Sequence, residues 1–267
     1  MPMKDTIKFY KMNDLPAVTL LDAHISSFRY KTHAHDDYAI GMTFEGTQCF
    51  KCGNMDYRVK KGGIIQINPE EPHDGFAEDD MGYTYKMIYI PRNLLNDLSP
   101  DSSSIFRFKE TVTYDPHMQR YFMKFLNMQR MSDEMNDGRL YDFIHKVIHW
   151  NKPDLDNSYS SAELDLINRS IDFIYYNIDG KLELDDICKT MNVSKYHFIR
   201  TFKKVTFRTP YQFILDLKLD KARKDLEQGL ELKEIADKYG FYDLSHLIKR
   251  FKSAYGITPH KYQKQFK

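Results

Sequence analysis

Short runs of alternating apolar and polar side chains dominate residues 17 to 90. The clearest run is YTYKMIY at 83–89, in which tyrosine or methionine occupies every second position. Such alternation is typical of β-strands with one buried face, and CGNM and KKGG fit the turns between strands. Because no helical pattern separates these runs, they predict an antiparallel sandwich or barrel.

The pattern changes after Pro116. Apolar residues then recur three and four positions apart, in two runs separated near Gly138. The positions are Met118, Phe122, Phe125, Met128, Leu140, Phe143, Ile144, Val147 and Ile148. This spacing predicts a helical pair that follows the sheet. The residues leave open whether the pair packs on its own barrel or on a second copy of the chain.

Beyond a polar stretch at 151–162, the chain reads as helical and contains an internal repeat. LELDDICKTMNVS from Leu182 matches LELKEIADKYGFYD from Leu230 at an offset of 48. One extra residue then makes the offset 49, which places Phe202 over Phe251. Each copy predicts a short helix, a tight turn and a second helix, the arrangement of a helix-turn-helix unit.

Turn and cap chemistry supports this division. Ser194 and Asp243 are good N-caps for the second helix of each copy, and Gly240 suits the left-handed end of a helix. The segment between the copies starts at Pro210 and ends at Gly229, which predicts one connecting helix.

Within each unit, one face is apolar and the opposite face carries cations beside an exposed aliphatic residue. The apolar positions four apart are expected to be core, and the outer face is expected to meet the major groove of DNA. The residues predicted to contact DNA are Lys195, Tyr196, Ile199, Arg200, Lys203, Ser245, His246, Ile248, Lys249, Arg250 and Lys252.

Charge strengthens the DNA interpretation. The 267 residues carry a formal net charge of +1, yet residues 1–160 are net −4 and residues 161–267 net +5. From Ser194 onward there are 17 basic and 8 acidic residues. Clustered lysine and arginine favour phosphate binding, although a solvated helical face is the alternative on charge alone.

The segment GFYDLSHLIKRFKSAYGITPHKYQ, residues 240–263, resembles the signature of AraC/XylS-type transcription regulators. Departures are mild: Leu247 replaces the usual phenylalanine and Lys249 the usual arginine. In the first copy, Phe207 stands where that family has glycine, so an irregular helix end is expected there. The N-terminal segment from HAHDDY to PHDG is similar to the cupin-like sensor domain of the same family.

This resemblance implies an α+β chain of two domains. It implies a cupin-like antiparallel barrel with a helical pair over 1–150, a linker over 151–162, and an all-α domain over 163–267 with two helix-turn-helix motifs on a linker helix. The implied partners are promoter DNA, a small-molecule effector, RNA polymerase and a second copy of the chain. Candidates for the homodimer contact are Met118, Phe122, Phe125 and Leu126, with packing inside one protomer as the alternative.

Histidines of the sensor segment allow two interpretations. His33, His35 and His73 have the residue type of a metal site, but the sequence lacks the glutamate that metal-dependent cupins carry shortly after the second histidine. We therefore expect an effector pocket, no metal and no catalytic residue; the alternative is a metal-dependent cupin enzyme with a helical appendage. The residues predicted to line the pocket are His33, His35, Tyr38, His73, Tyr85 and Met87.

Two further features bear on the kind of protein and its location in the cell. Cys49 and Cys52 have redox or zinc spacing, but residues three apart on a strand point to opposite faces, which argues against a pair. The apolar runs are too short to span a membrane and the N-terminus is too polar for a signal peptide, so a cytoplasmic protein is expected.

Overall fold

The computed structural model describes residues 4–11, 17–97, 106–128, 137–151, 160–180 and 182–266. The chain divides into two compact units. The first comprises Met1–Tyr30, Asp36–Pro69 and His73–Asp154, and the second comprises Lys31–His35, Glu70–Pro72 and Leu155–Lys267. The predicted linker at 151–162 lies mostly outside the described residues.

Among the described residues of the N-terminal region, ten strands form two antiparallel sheets, which confirms the predicted sheet-rich class. The strands are β1 (Thr6–Lys11), β2 (Thr19–Ile25), β3 (Tyr30–His33), β4 (Tyr38–Glu45), β5 (Thr47–Cys52), β6 (Met55–Lys60), β7 (Ile64–Ile67), β8 (His73–Ala77), β9 (Tyr83–Ile90) and β10 (Val112–Thr113). The order is β1-β2-β9-β4-β7-β10 in one sheet and β3-β8-β5-β6 in the other. The predicted turns at CGNM and KKGG join β5 to β6 and β6 to β7.

Helices cover the outer face of the six-stranded sheet. They are α1 (Arg92–Asp97), α2 (Pro116–Met128) and α3 (Asp137–Trp150), and the last two confirm the predicted pair. Their apolar residues share one core with alternate residues of β4 and β9. Met118, Phe122 and Phe125 are buried in this core and Leu126 packs against it, so these candidates for a dimer contact pack inside their own protomer.

The second unit is helical. Its helices are α4 (Ser161–Tyr176), α5 (Leu184–Met191), α6 (Lys195–Thr206), α7 (Pro210–Glu227), α8 (Leu232–Lys238), α9 (Leu244–Tyr255) and α10 (Pro259–Gln263). The predicted repeat corresponds to α5–α6 and α8–α9, and α7 is the connecting helix. Ser194 and Asp243 accept hydrogen bonds from the third residue of α6 and α9, at 3.3 and 2.6 Å, which confirms both caps.

Apolar packing holds the first motif on the connecting helix. Phe198 and Phe202 of α6 are fully buried, and the Phe202 ring lies 5.3 Å from that of Phe213 on α7. Leu217, one turn further along α7, belongs to the same cluster. Residues four apart therefore form the inner face, as the spacing predicted.

A buried ionic cluster holds the second motif on the same helix. The Arg223 guanidinium lies 3.0 Å from Asp220 and 2.7 Å from Glu227, all three on α7. Glu227 also accepts a 2.5 Å hydrogen bond from the hydroxyl of Tyr262 on α10, which is fully buried. Because a charge in the interior is costly without partners, these groups fix one another's positions.

The two motifs are also joined directly. The backbone NH of Gly180, in the loop before α5, donates to the carbonyl of Lys238 at the end of α8 over 2.7 Å. The Gly180 carbonyl in turn accepts from the Lys218 ammonium on α7, also over 2.7 Å. The connecting helix and both motifs therefore form one packed unit.

The buried cluster gives a stability prediction. Arg223→Met leaves Asp220 and Glu227 without their shared cation, and we expect it to lower the free energy of unfolding by about 3–5 kcal/mol. Lys233→Met on the exposed surface of α8 is the control and should change it by less than about 0.5 kcal/mol. Urea unfolding followed by helical circular dichroism measures both, and equal stability of the two variants would contradict the role given to the cluster.

Candidate functional site

The outer faces of α6 and α9 carry exposed apolar side chains beside cations. Tyr196 is 77% exposed, and Ile199 and Ile248 are each 37% exposed. Tyr196 and Ile199 border a shallow depression together with Arg200, Lys203 and Lys204. An exposed mixture of apolar and basic groups on the second helix of a helix-turn-helix unit matches the chemistry of a major groove, where thymine methyl groups lie beside acceptor edges.

Four predicted cations are available for an external anion. Within the described part of the chain, Arg200 and Lys203 of α6 and Lys249 and Lys252 of α9 have no carboxylate within ion-pair distance. Neighbouring Lys204 differs, since its ammonium lies 2.7 Å from Glu163 of α4. The second helix of each motif, here called its recognition helix, thus presents two cations that no carboxylate among the described residues neutralises.

Three predicted residues have partners inside the unit. Lys195 forms an ion pair with Asp185 of α5. On α9, the Arg250 side chain donates to the imidazole of His246 over 3.3 Å, and the His246 ring lies 6.0 Å from that of Phe241. Lys195, His246 and Arg250 therefore make contacts within the helical unit as well as any contact with DNA.

The structure adds one exposed aromatic residue to this surface. Tyr242 lies in the turn before α9 and is 93% exposed, and Ser245 follows in the first turn of that helix. The sequence GFYDLSH already indicates that Tyr242 is exposed, because an aromatic residue in a tight turn has few neighbours to pack against. Leu244, 41% exposed, lies between the two.

A second candidate site lies between the two sheets of the first unit. The Tyr85 hydroxyl on β9 donates to the Tyr30 hydroxyl on β3 over 3.1 Å. A side-chain carbon added at Gly75 on β8 would lie 3.5 Å from the Tyr30 ring and 3.7 Å from the Tyr83 hydroxyl. Tyrosines of the six-stranded sheet therefore face the backbone of the four-stranded sheet.

Three buried polar atoms in this part of the fold have no hydrogen-bond partner among the described residues. They are the Tyr83 hydroxyl, the Gln48 side-chain oxygen and the Thr43 hydroxyl. Buried polar groups are nearly always hydrogen-bonded, so an ordered water or a polar ligand would satisfy these three atoms. Burial also raises the pKa of Tyr30, Tyr83 and Tyr85 well above the ordinary tyrosine range, which keeps all three hydroxyls neutral.

The predicted effector residues divide into three groups. His73, Tyr85 and Met87 are buried on strand faces turned to the space between the sheets. Met87 packs against Gly41, since a Cβ added at Gly41 would lie 2.5 Å from the Met87 sulfur. The placement of Tyr38 differs from the prediction. Its side chain lies in the core under α2 and α3, and its hydroxyl donates to the Phe106 carbonyl.

His33 and His35 form the third group. His33 is the last residue of β3, and the segment Lys31–His35 groups with the helical unit. Burial, and then the neighbouring imidazole of His35, lowers the pKa of His33 to about 4. Because alternation predicts a common face only while a strand continues, it does not fix the face of His35, which follows the end of β3.

No cluster of three or more histidine, cysteine or carboxylate side chains in the described residues is arranged to hold a metal ion. The rings of His33 and His35 are 6.4 Å apart. Cys49 and Cys52 are free thiols on β5. Among the described helices, none has the length and apolar content needed to cross a membrane.

Comparison with known proteins identifies both units. The AraC-like ligand binding domain matches residues 15–144, and a helix-turn-helix domain matches residues 187–265. MarA of Escherichia coli K12 is 31% identical over 98 residues, which cover 36% of this chain and 77% of MarA. The chain belongs to the AraC family of transcription regulators. It carries an N-terminal ligand-binding domain and a C-terminal helix-turn-helix DNA-binding domain, as the sequence predicted.

Longer relatives and solved structures extend this likeness. The raffinose operon regulatory protein RafR of Pediococcus pentosaceus is 22% identical over 252 residues, covering 91% of each chain. The crystal structure of ToxT from Vibrio cholerae O395 has a TM-score of 0.62 at 15% identity and covers 94% of this chain and 98% of its own. That structural likeness shows a shared two-domain fold.

The surface cations of this regulator give a test of which side chains neutralise phosphate. Lys203→Ala should weaken DNA binding and reduce the slope of log affinity against log salt by about 1. Lys195→Ala should change that slope less, because Asp185 already neutralises the ammonium. The probe is a duplex that the wild-type protein selects from a random-sequence library, and equal slopes for the two variants would contradict the assignment.

Proposed function

We propose that α6 and α9 enter successive major grooves on one face of promoter DNA and that a single protomer reads both. The observation that carries this proposal is the packing of both motifs on α7 through Phe202, Phe213, Arg223 and Tyr262. Two recognition helices held at a fixed separation suit grooves about 34 Å apart. Because the helices differ in sequence, the site read by one protomer is not palindromic.

We assign one cation of each helix to base contact. Arg200 lies one residue after Ile199, and Lys249 lies one residue after Ile248. Arginine and lysine pair with guanine edges, and the aliphatic neighbour suits a thymine methyl group. Lys203 and Lys252, one turn further along, are assigned to phosphates.

These assignments predict separate losses of affinity. Arg200→Ala and Lys249→Ala should each weaken binding to the selected duplex by about 1–3 kcal/mol and relax the base preference at different positions. Arg169→Ala on the exposed side of α4 is the control and should leave affinity unchanged. Loss from one variant alone would mean that a single motif reads the bases.

For the sensor, we propose a neutral, hydroxyl-bearing effector between the two sheets, such as a saccharide. Gln48, Thr43 and Tyr83 supply hydrogen-bonding atoms that lack partners within the described residues. The hydroxyls of Tyr30 and Tyr85, which are bonded to each other, lie in the same space. Neutral hydroxyls and an amide suit an uncharged polar molecule, whereas an anion needs a cation to replace its hydration. Effector binding then changes the affinity for DNA or the contact with RNA polymerase.

The pocket proposal predicts different effects of one hydroxyl on ligand binding and on stability. Tyr83→Phe should leave the melting temperature unchanged or slightly higher, because it removes a buried hydroxyl without a partner. It should abolish the thermal stabilisation that a saccharide gives to the wild type, with glucose, melibiose and raffinose as probes and Tyr176→Phe as the control. Stabilisation by oleate and by none of the saccharides would contradict a neutral effector.

Assembly and location rest on family membership. We propose that the regulator acts as a homodimer in the cytoplasm, where its promoter DNA and RNA polymerase are found, and that it has no catalytic activity. Since Met118, Phe122 and Phe125 are buried in their own protomer, the dimer contact is assigned to other residues of the first unit.

A further inference from the structure

Phe207 stands out when the two motifs are compared residue by residue. It follows α6 at the position that Gly256 occupies after α9. Both residues adopt the left-handed conformation, with φ 58° at Phe207 and φ 78° at Gly256. Glycine takes this conformation without steric cost, whereas a bulky side chain is strained by it.

Phe207 also keeps much of its surface exposed. It is 42% exposed, whereas the two phenylalanines of α6, Phe198 and Phe202, are completely buried. The same turn in the second motif folds with glycine. The aromatic side chain at 207 is therefore not needed to form a turn of this type.

The surroundings of Phe207 indicate what covers it. Lys203 and Arg200 precede it by four and seven residues, which places all three along one side of the helix up to its cap. Both cations have no carboxylate partner among the described residues, and Tyr196 and Ile199 continue the same mixed stripe. An occupant must therefore be anionic and also offer apolar surface.

We infer that Phe207 is a DNA-contacting residue that packs on an apolar part of the DNA bound by α6, either a sugar or a thymine methyl group. Double-stranded DNA supplies both that surface and the phosphates that Arg200 and Lys203 require. The second motif has no equivalent side chain. This contact therefore makes the two motifs unequal and gives the bound protein one orientation on its site.

The inference rests on the proposed DNA face and predicts opposite changes in stability and binding. Phe207→Gly should raise the melting temperature of the full chain by about 2–4 °C, because the strain is relieved. It should also weaken binding to the selected duplex about fivefold to tenfold with the salt slope unchanged, since no charge is removed. Asparagine also tolerates the left-handed conformation, so Phe207→Asn should change the melting temperature and the affinity in the same directions. Tyr176→Ala should change neither quantity.

Arg200→Ala, measured beside these variants, separates the two proposals. If Arg200→Ala loses affinity while Phe207→Gly binds as tightly as the wild type, the contact of Phe207 is overturned and the DNA face stands. If neither variant weakens binding, the DNA face itself fails. A lower melting temperature for Phe207→Gly would overturn the inference as well, because the side chain would then serve the fold.

Discussion

The cost of burying charge on α7 is the constraint on which the reading of DNA depends. Asp220, Arg223 and Glu227 lie within two turns of one helix, where the Arg223 guanidinium pairs with both carboxylates and Lys224 adds a second cation at Asp220. Their partner Tyr262 belongs to the helix after the second motif, so satisfying these charges also fixes that motif. The first motif is fixed on the same helix by aromatic packing through Phe202 and Phe213.

Two different kinds of packing thus hold the two motifs on the same helix, α7. Apolar contacts at the first motif are non-directional, while the ionic cluster at the second requires particular distances and angles. The hydrogen bond from Gly180 to Lys238 joins the motifs without passing through α7. Under the proposed function, the spacing between the two recognition helices is set when the protein folds and does not have to be found on the DNA.

The helical half of this fold was well predicted because its signals are local and repeated. Phe198 and Phe202 recur as Leu247 and Phe251, so each motif supported the interpretation of the other. Side-chain partners were harder to foresee. The spacing does not show that Asp185 reaches Lys195, since this contact depends on how α5 and α6 meet across the turn. His246 and Arg250, by contrast, lie four residues apart on α9, where side chains are neighbours.

The sensor half shows where a strand pattern fails. Alternation placed Tyr85 and Met87 on the inner face, but it cannot fix the face of His35, which follows the end of β3. Tyr38 follows the alternation of β4 onto the helix-covered face. Gln48 and Tyr83 were missed, because a buried polar atom without a partner is visible only after both sheets are in place.

The central claim is that the two motifs of one protomer act as a single reader of DNA. Methylation interference at guanine N7 on the selected duplex tests it most directly, because that atom lies in the major groove. The account predicts, for each bound protomer, two windows of interference on one face of the duplex, about one helical turn apart. A single window, or two windows on opposite faces, would contradict it.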